Sequence, residues 1–155
     1  MARRIARDTD LNAMSDVVLA NFPSLAAMVA SGGFLPEEHV RRKLNDGNVV
    51  MAYDTNGGIV GLRYLPEENT VVIEITGFAA LTSAARLALW RLVRTAWINK
   101  GLTNATRLHL ECMAGDAVDT FLLARFPQFR TVTNVAIPGD PVLNLVIYET
   151  TLGAL

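Results

Sequence analysis

A single cysteine, Cys112, in 155 residues leaves no partner for an internal disulfide and excludes a four-cysteine zinc site. That usage fits a reducing, cytosolic setting, which is the expected location. No apolar stretch approaches the ~18 residues that a membrane-crossing helix needs. The opening MARRIARDTD is basic but has no apolar run behind it, unlike a signal peptide. Neither charge sign dominates, with 14 Lys and Arg against 15 Asp and Glu. A near-neutral chain without a basic run lacks the electrostatic footprint of a nucleic-acid binder, and the one tight cluster, Arg41 to Lys43, reads as a solvated helix face. Also absent are a Pro/Gly/Ser-rich linker, a low-complexity tract and an internal repeat, so residues 1–155 are expected to form one domain. A core of that size buries roughly two-thirds of the surface its unfolded chain exposes.

Half of the residues are hydrophobic, and their spacing alternates between helical and strand periods. RRIAR (Arg3 to Arg7) predicts a first strand, and Thr9 or Asp10 then caps a helix from Leu11 to about Leu19. Pro23 and the Gly32-Gly33 pair predict a break and a second, irregular helix, and VASGGF is either a lid or only a turn. A further helix follows, with Pro36, Glu37 and Glu38 at its start and Gly47 beyond its end. NVVMAYD and GGIVGLRYL flank the turn DTNGG as a hairpin, and TVVIEITGF follows PEEN as the third strand of a meander. Its nearly continuous apolar run predicts cover on both faces. Leu89, Leu92, Val93 and Ala96 mark a helix from about Ser83 to Lys100, ended by Gly101. The strand RLHLECM, the helix DAVDTFLLARF and two strands, RTVTNVAI and VLNLVIYETT, joined by PGDP, complete the chain.

This order, with the apolar pair Ile59 and Val60 ahead of Gly61 and the run RLHLECMAGDAVDTFLLARFPQF, resembles the GNAT acyltransferase superfamily over nearly the whole chain. The resemblance implies an α/β (α+β) fold, with a mixed, mainly antiparallel sheet of about seven strands and helices on both faces. It implies transfer of an acetyl or other acyl group from acyl-CoA to a primary amine of a small molecule or peptide. The fourth and fifth strands would part around the pantetheine arm, and the diphosphate would lie on backbone N–H groups at Leu81 to Ala85. A helix N-terminus favours an anion there. The implied cofactor-binding set is Thr76, Phe78, Leu81, Thr82, Ser83, Ala84, Ala85 and Arg86.

One departure is plain: the family's loop alternates glycines, whereas no glycine occurs between Phe78 and Trp97. Thr82 to Ala85 are all small, and Arg86 adds charge; equally, Thr82 or Ser83 is an ordinary cap and the alanines pack the helix. For catalysis, Glu74, a lone charge in an apolar strand, is the expected base, or else it faces solvent or pairs with an arginine. The family's tyrosine acid falls at Leu122 or Phe121, neither of which carries a hydroxyl, which leaves Tyr148 as the candidate, with Tyr64 behind it. Strand alternation places His109 and Glu111 on one face and Cys112 on the other. With His39 distant in sequence, no closed metal-ligand set forms and none is expected. Glu111 is a second carboxylate facing the cleft, Cys112 a small buried hydrophobe, and Trp90 and Trp97 are expected against other helices or a subunit. The alternative function is a GNAT-like interaction module that binds a protein partner, and a homodimer fits either reading.

Overall fold

The computed structural model of the protein describes residues 3–33, 35–78, 81–136, 138–139 and 142–155. Strand β1 (Arg3–Ile5) leads into three helices, α1 (Leu11–Asn21), α2 (Leu25–Ala30) and α3 (Pro36–Leu44). The meander β2 (Val49–Asp54), β3 (Gly58–Leu65) and β4 (Thr70–Gly77) follows, then α4 (Ser83–Asn99), β5 (Arg107–Met113), α5 (Ala117–Arg125), β6 (Arg130–Val135) and β7 (Leu143–Thr151). These strands form a seven-stranded sheet in the order β1-β2-β3-β4-β5-β7-β6. Every neighbouring pair is antiparallel except β4 with β5. The mixed, mainly antiparallel sheet and the element order thus match the expectation from sequence.

Local chemistry explains the helix ends. Pro36 opens α3, Glu37 and Glu38 occupy its first turn, and Arg41, Arg42 and Lys43 its last, so each end carries the charge that opposes the helix dipole. The Thr82 hydroxyl accepts from the Ala85 N–H at 3.2 Å to cap α4, and Asp116 accepts from the Asp119 N–H at 2.9 Å to cap α5. Helix α1 runs past the expected end at Leu19, while β1 stops at Ile5 because the Arg7 N–H turns to donate to Asp10 Oδ2 at 2.9 Å. The PGDP turn and the VASGGF segment both extend onto residues outside those described; within them Gly139 and Gly32 have φ of 83° and 74°.

Two apolar clusters sandwich the sheet. Met14, Val17, Val18 and Val40 from α1 and α3 join Met51, Tyr53 and Ile59 on one face. On the other, Leu89, Trp90 and Val93 of α4 and Leu122 of α5 join Val60, Leu62, Leu108 and Leu110. Full burial of a side chain such as Leu89 contributes about 2 kcal/mol. The two tryptophans correct the sequence reading. Two helical turns apart, both fall on the stripe facing the sheet, with Trp90 edge-on to Phe78 at 6.0 Å and Trp97 tilted against Tyr64 at 5.9 Å. Strand β4 corrects it too, for only Thr70 and Val71 are buried and the rest of the strand is half-buried.

The β3–β4 register shifts at one point. Gly61 faces Ile75 but Leu62 faces Ile73, so Glu74 is the extra residue of a β-bulge. A Cβ on Gly61 would lie 2.8 Å from Ile75 Cγ2, a methyl held one bond from the branched Cβ, and 2.9 Å from Met51 Cγ, well short of that side chain's end. Gly61→Ala is therefore expected to destabilise the protein by about 1–3 kcal/mol, a fall of roughly 3–10 °C in Tm by thermal unfolding. An unchanged Tm would show that the bulge yields to a methyl group.

Candidate active site

Strands β4 and β5 pair at Thr70 with Arg107, Val71 with Leu108 and Val72 with His109, and no further. Beyond that point β4 continues to Gly77 and β5 to Met113 with no ladder between them. The bulge at Glu74 supplies the bend. Backbone groups along the parted edges are left for water or a ligand to satisfy. Each strand feeds a helix, so α4 and α5 flank the wide end of the wedge.

Between these helices lies a cleft of about 410 Å³ lined by Ser83, Ala84, Arg86 and Leu87 of α4 and Thr120, Phe121, Ala124 and Arg125 of α5. Among the described residues, the N–H groups of Ser83 and Ala84 have no acceptor, as expected for the first turn of a helix. Arg86 Nε and Arg125 Nε are buried and also without a partner. The Arg86 guanidinium stacks 5.5 Å from the Phe78 ring centre, and Phe78 in turn packs 5.9 Å from Phe121. Burial, with Arg91 and Arg94 alongside, lowers the proton affinity of Arg125, the mark of a cationic cluster short of anions.

The opposite face of the wedge carries different chemistry. The Glu74 carboxylate accepts from Lys43 Nζ at 2.7 Å and from Arg63 Nε at 2.8 Å and Nη2 at 3.0 Å. Arg63 first and Lys43 with it hold the Glu74 carboxyl at about 2, well below its ordinary value. It is an ion-pair partner there, tying α3 to the sheet. On β5, His109 Nε2 lies 2.9 Å from Glu111 Oε1 and Nδ1 lies 3.2 Å from Glu149 Oε1 on β7. Back on the α4–α5 side, Tyr148 is fully buried, and its hydroxyl donates to Asp119 Oδ1 at 2.7 Å inside the α5–β7 contact. Cys112 is buried as expected, which pushes its thiol up to about 12.

No protein-family model matches the chain, and no curated protein matches it in sequence. Solved structures do. An acetyltransferase from Salmonella typhimurium that modifies the N-terminal serine of a 50S ribosomal subunit protein superposes with a TM-score of 0.63 at 13% identity, over 96% of this chain and 93% of that one. An aminoglycoside 6'-acetyltransferase type Ii gives 0.65 at 11% identity, over 98% and 97%. The PaiA N-acetyltransferase from Thermoplasma acidophilum, in complex with coenzyme A, gives 0.60 at 10% identity, over 97% and 100%. The chain has the GNAT fold.

Against the GNAT pattern, the residues chosen from sequence divide. Ser83, Ala84 and Arg86 line the α4–α5 cleft. Thr82 spends its hydroxyl as the helix cap, Leu81, Ala85 and Phe78 are buried in the core, and Thr76 pairs with Val60 within the sheet. Phe121 stands in the cleft where the GNAT tyrosine was sought, so α5 brings no hydroxyl from that position. Arg125 went unnoticed because only the tertiary structure brings it into the lining of this cleft, where its Nη2 also donates to the Ala154 carbonyl at 3.3 Å. Glu149 went unnoticed because its partner lies 40 residues away in sequence. Among the described residues no three His, Cys, Asp or Glu side chains are grouped to hold a metal ion, and no helix is long and apolar enough to cross a membrane.

The depressed Glu74 carboxyl makes a pH-dependent contribution. Its folded value lies below its ordinary one, so the stabilisation is fully present above about 4.5 and is lost as pH falls toward about 2. Glu74→Gln is expected to lose about 1–3 kcal/mol at neutral pH, where Lys43 and Arg63 lose their acceptor, and less at about pH 3. Urea unfolding at the two pH values measures it; an equal loss at both would show that the ionised bridge is not the source.

Proposed function

We propose that this protein is an N-acyltransferase that moves an acetyl or other acyl group from acyl-CoA to a primary amine. The observation that carries this reading is the α4–α5 cleft, with two unbonded helix N–H groups and the Arg86 and Arg125 side chains in its lining, at the wide end of the β4–β5 wedge. That donor set suits a diphosphate: backbone N–H groups at a helix N-terminus and guanidinium groups both bind phosphate oxygens. Glycine is not needed for the approach here, since Ser83 and Ala84 present small side chains to the cleft. Ser83, Ala84, Arg86 and Arg125 would hold the phosphates, and the bound thioester would supply the acyl group along the parted strands. The fold shared with acetyltransferases of a protein N-terminus and an aminoglycoside supports an amine acceptor.

Calorimetric titration with acetyl-CoA, CoA and ADP tests the reading. Micromolar binding, about −8 kcal/mol, is expected for acetyl-CoA. Arg86→Ala and Arg125→Ala are each expected to weaken it about tenfold, ~1.4 kcal/mol. No heat and no shift in Tm at millimolar acetyl-CoA would overturn it.

A further inference from the structure

We infer that His109 is the group that takes the proton from the acceptor amine, and that Glu111 is the carboxylate on which the acceptor first docks as a cation. The inference rests on the acyl-transfer reading and adds to it a base and a charge class for the acceptor.

Position comes first. His109 belongs to the last residue pair that β4 and β5 share, so it sits at the vertex where the strands part. A cavity of about 380 Å³ opens there, lined by Val72, Ile73, His109 and Glu111. The His109 side chain is 23% exposed and that of Glu111 50%. The other titratable groups near the wedge are occupied: Glu74 is neutralised by Lys43 and Arg63, the Tyr148 hydroxyl is bonded to Asp119, and Cys112 faces the buried side of β5.

The bonding of the ring then selects one nitrogen. An ionised carboxylate only accepts, so the imidazole satisfies Glu149 and Glu111 together only when both nitrogens carry a proton. A neutral ring must release one of them. Glu149 stands directly across from His109 in the β5–β7 register and is fixed there by Arg107 at 2.5 Å, whereas Glu111 has no other partner among the described residues and its side chain is half exposed, so the Nε2 contact is the one that opens to an incoming acceptor. Nε2 then turns a lone pair toward Glu111 Oε1, 2.9 Å away. Two acceptors at that distance repel, and an ammonium group, with three N–H donors, satisfies both at once.

The steps balance. The acceptor arrives as RNH3+, bound to the Glu111 carboxylate, and gives one proton to His109 Nε2. The freed lone pair on nitrogen forms the new C–N bond at the thioester carbonyl carbon, and the C–S bond breaks. The nitrogen's second proton goes to the departing thiolate, and His109 returns the first to solvent past Glu111. Arg107 and Glu111 on β5 and Glu149 on β7 are the charged groups around the ring, and on β4 Glu74 carries its own cations, Lys43 and Arg63.

The test measures thiol release from acetyl-CoA with n-butylamine and spermidine as acceptor probes, from about pH 6 to 9, alongside acetyl-CoA affinity and Tm. His109→Gln is expected to lower kcat about 10²-fold and to remove the acid limb of the pH profile, with acetyl-CoA affinity and Tm unchanged. Glu111→Gln is expected to raise the amine KM about tenfold with kcat within threefold of the parent. A His109→Gln enzyme within threefold of the parent, or one that loses acetyl-CoA affinity in proportion to kcat, overturns the proposal. If the parent releases no thiol with either probe, ring 15N spectra decide the site independently of turnover. The chain has only two histidines, so the His109→Gln spectrum assigns the signals. An Nε2 shift on adding n-butylammonium to the parent, absent in Glu111→Gln, upholds the pairing of His109 with Glu111, and no shift in the parent overturns it.

Discussion

The parallel contact between β4 and β5 is the constraint on which the rest of the molecule depends. Parallel neighbours joined in sequence require a crossover, and α4 is that crossover, which places its N-terminus at the end of β4. The contact holds for only three residue pairs. The bulge at Glu74 bends β4 away from β5, and Gly61 permits the bulge by offering no side chain where Ile75 and Met51 close in. A fully zipped β4–β5 ladder would remove the wedge, the cleft between α4 and α5 and the cavity beside His109 together.

Charge is distributed about this wedge in a way that the near-zero net charge conceals. Arg86, Arg91, Arg94 and Arg125 gather on α4 and α5, and Arg94 is spent on the carbonyl of Leu155. On the other face Glu111 and Glu149 bracket His109, and Glu74 is matched by Lys43 and Arg63. One mouth of the wedge thus offers donors to an anion, and the other offers acceptors to a cation. In the proposed reaction such an arrangement would orient the anionic and the cationic reactant before any specific contact is made. Glu74 stands apart from this division, with a cation on either side of its carboxylate.

Most of the fold was legible in the residues. The DTNGG turn between β2 and β3, the cap at Thr82, the charges ordered along α3 and the apolar spacing in α4 are local signals, each set by neighbours within a turn or a hairpin. Their sequence was enough to suggest the GNAT arrangement, and the superposed acetyltransferases share it. Where local reading failed, the missing information was long-range. The apolar run of β4 implied two covered faces, yet its second half loses cover because β5 departs. Trp90 and Trp97 suggested a contact with other helices or a subunit, whereas the sheet they cover is built from β2, β3, β4 and β5.

The candidate site divides along the same line. By itself the sequence determined which chemistry is on offer: a small-residue helix start without glycine, a carboxylate inside an apolar strand, and a histidine and glutamate two apart on a strand, all fixed by covalent order and backbone period. Only the tertiary structure decided how those groups are used. Lys43 comes to Glu74 across 31 residues, Glu149 to His109 across 40, and Arg125 reaches the α4 cleft from another helix. Whether a carboxylate is a base or a bridge depends on the cations within about 4 Å of it, and it is packing, not the chain's order, that places them there.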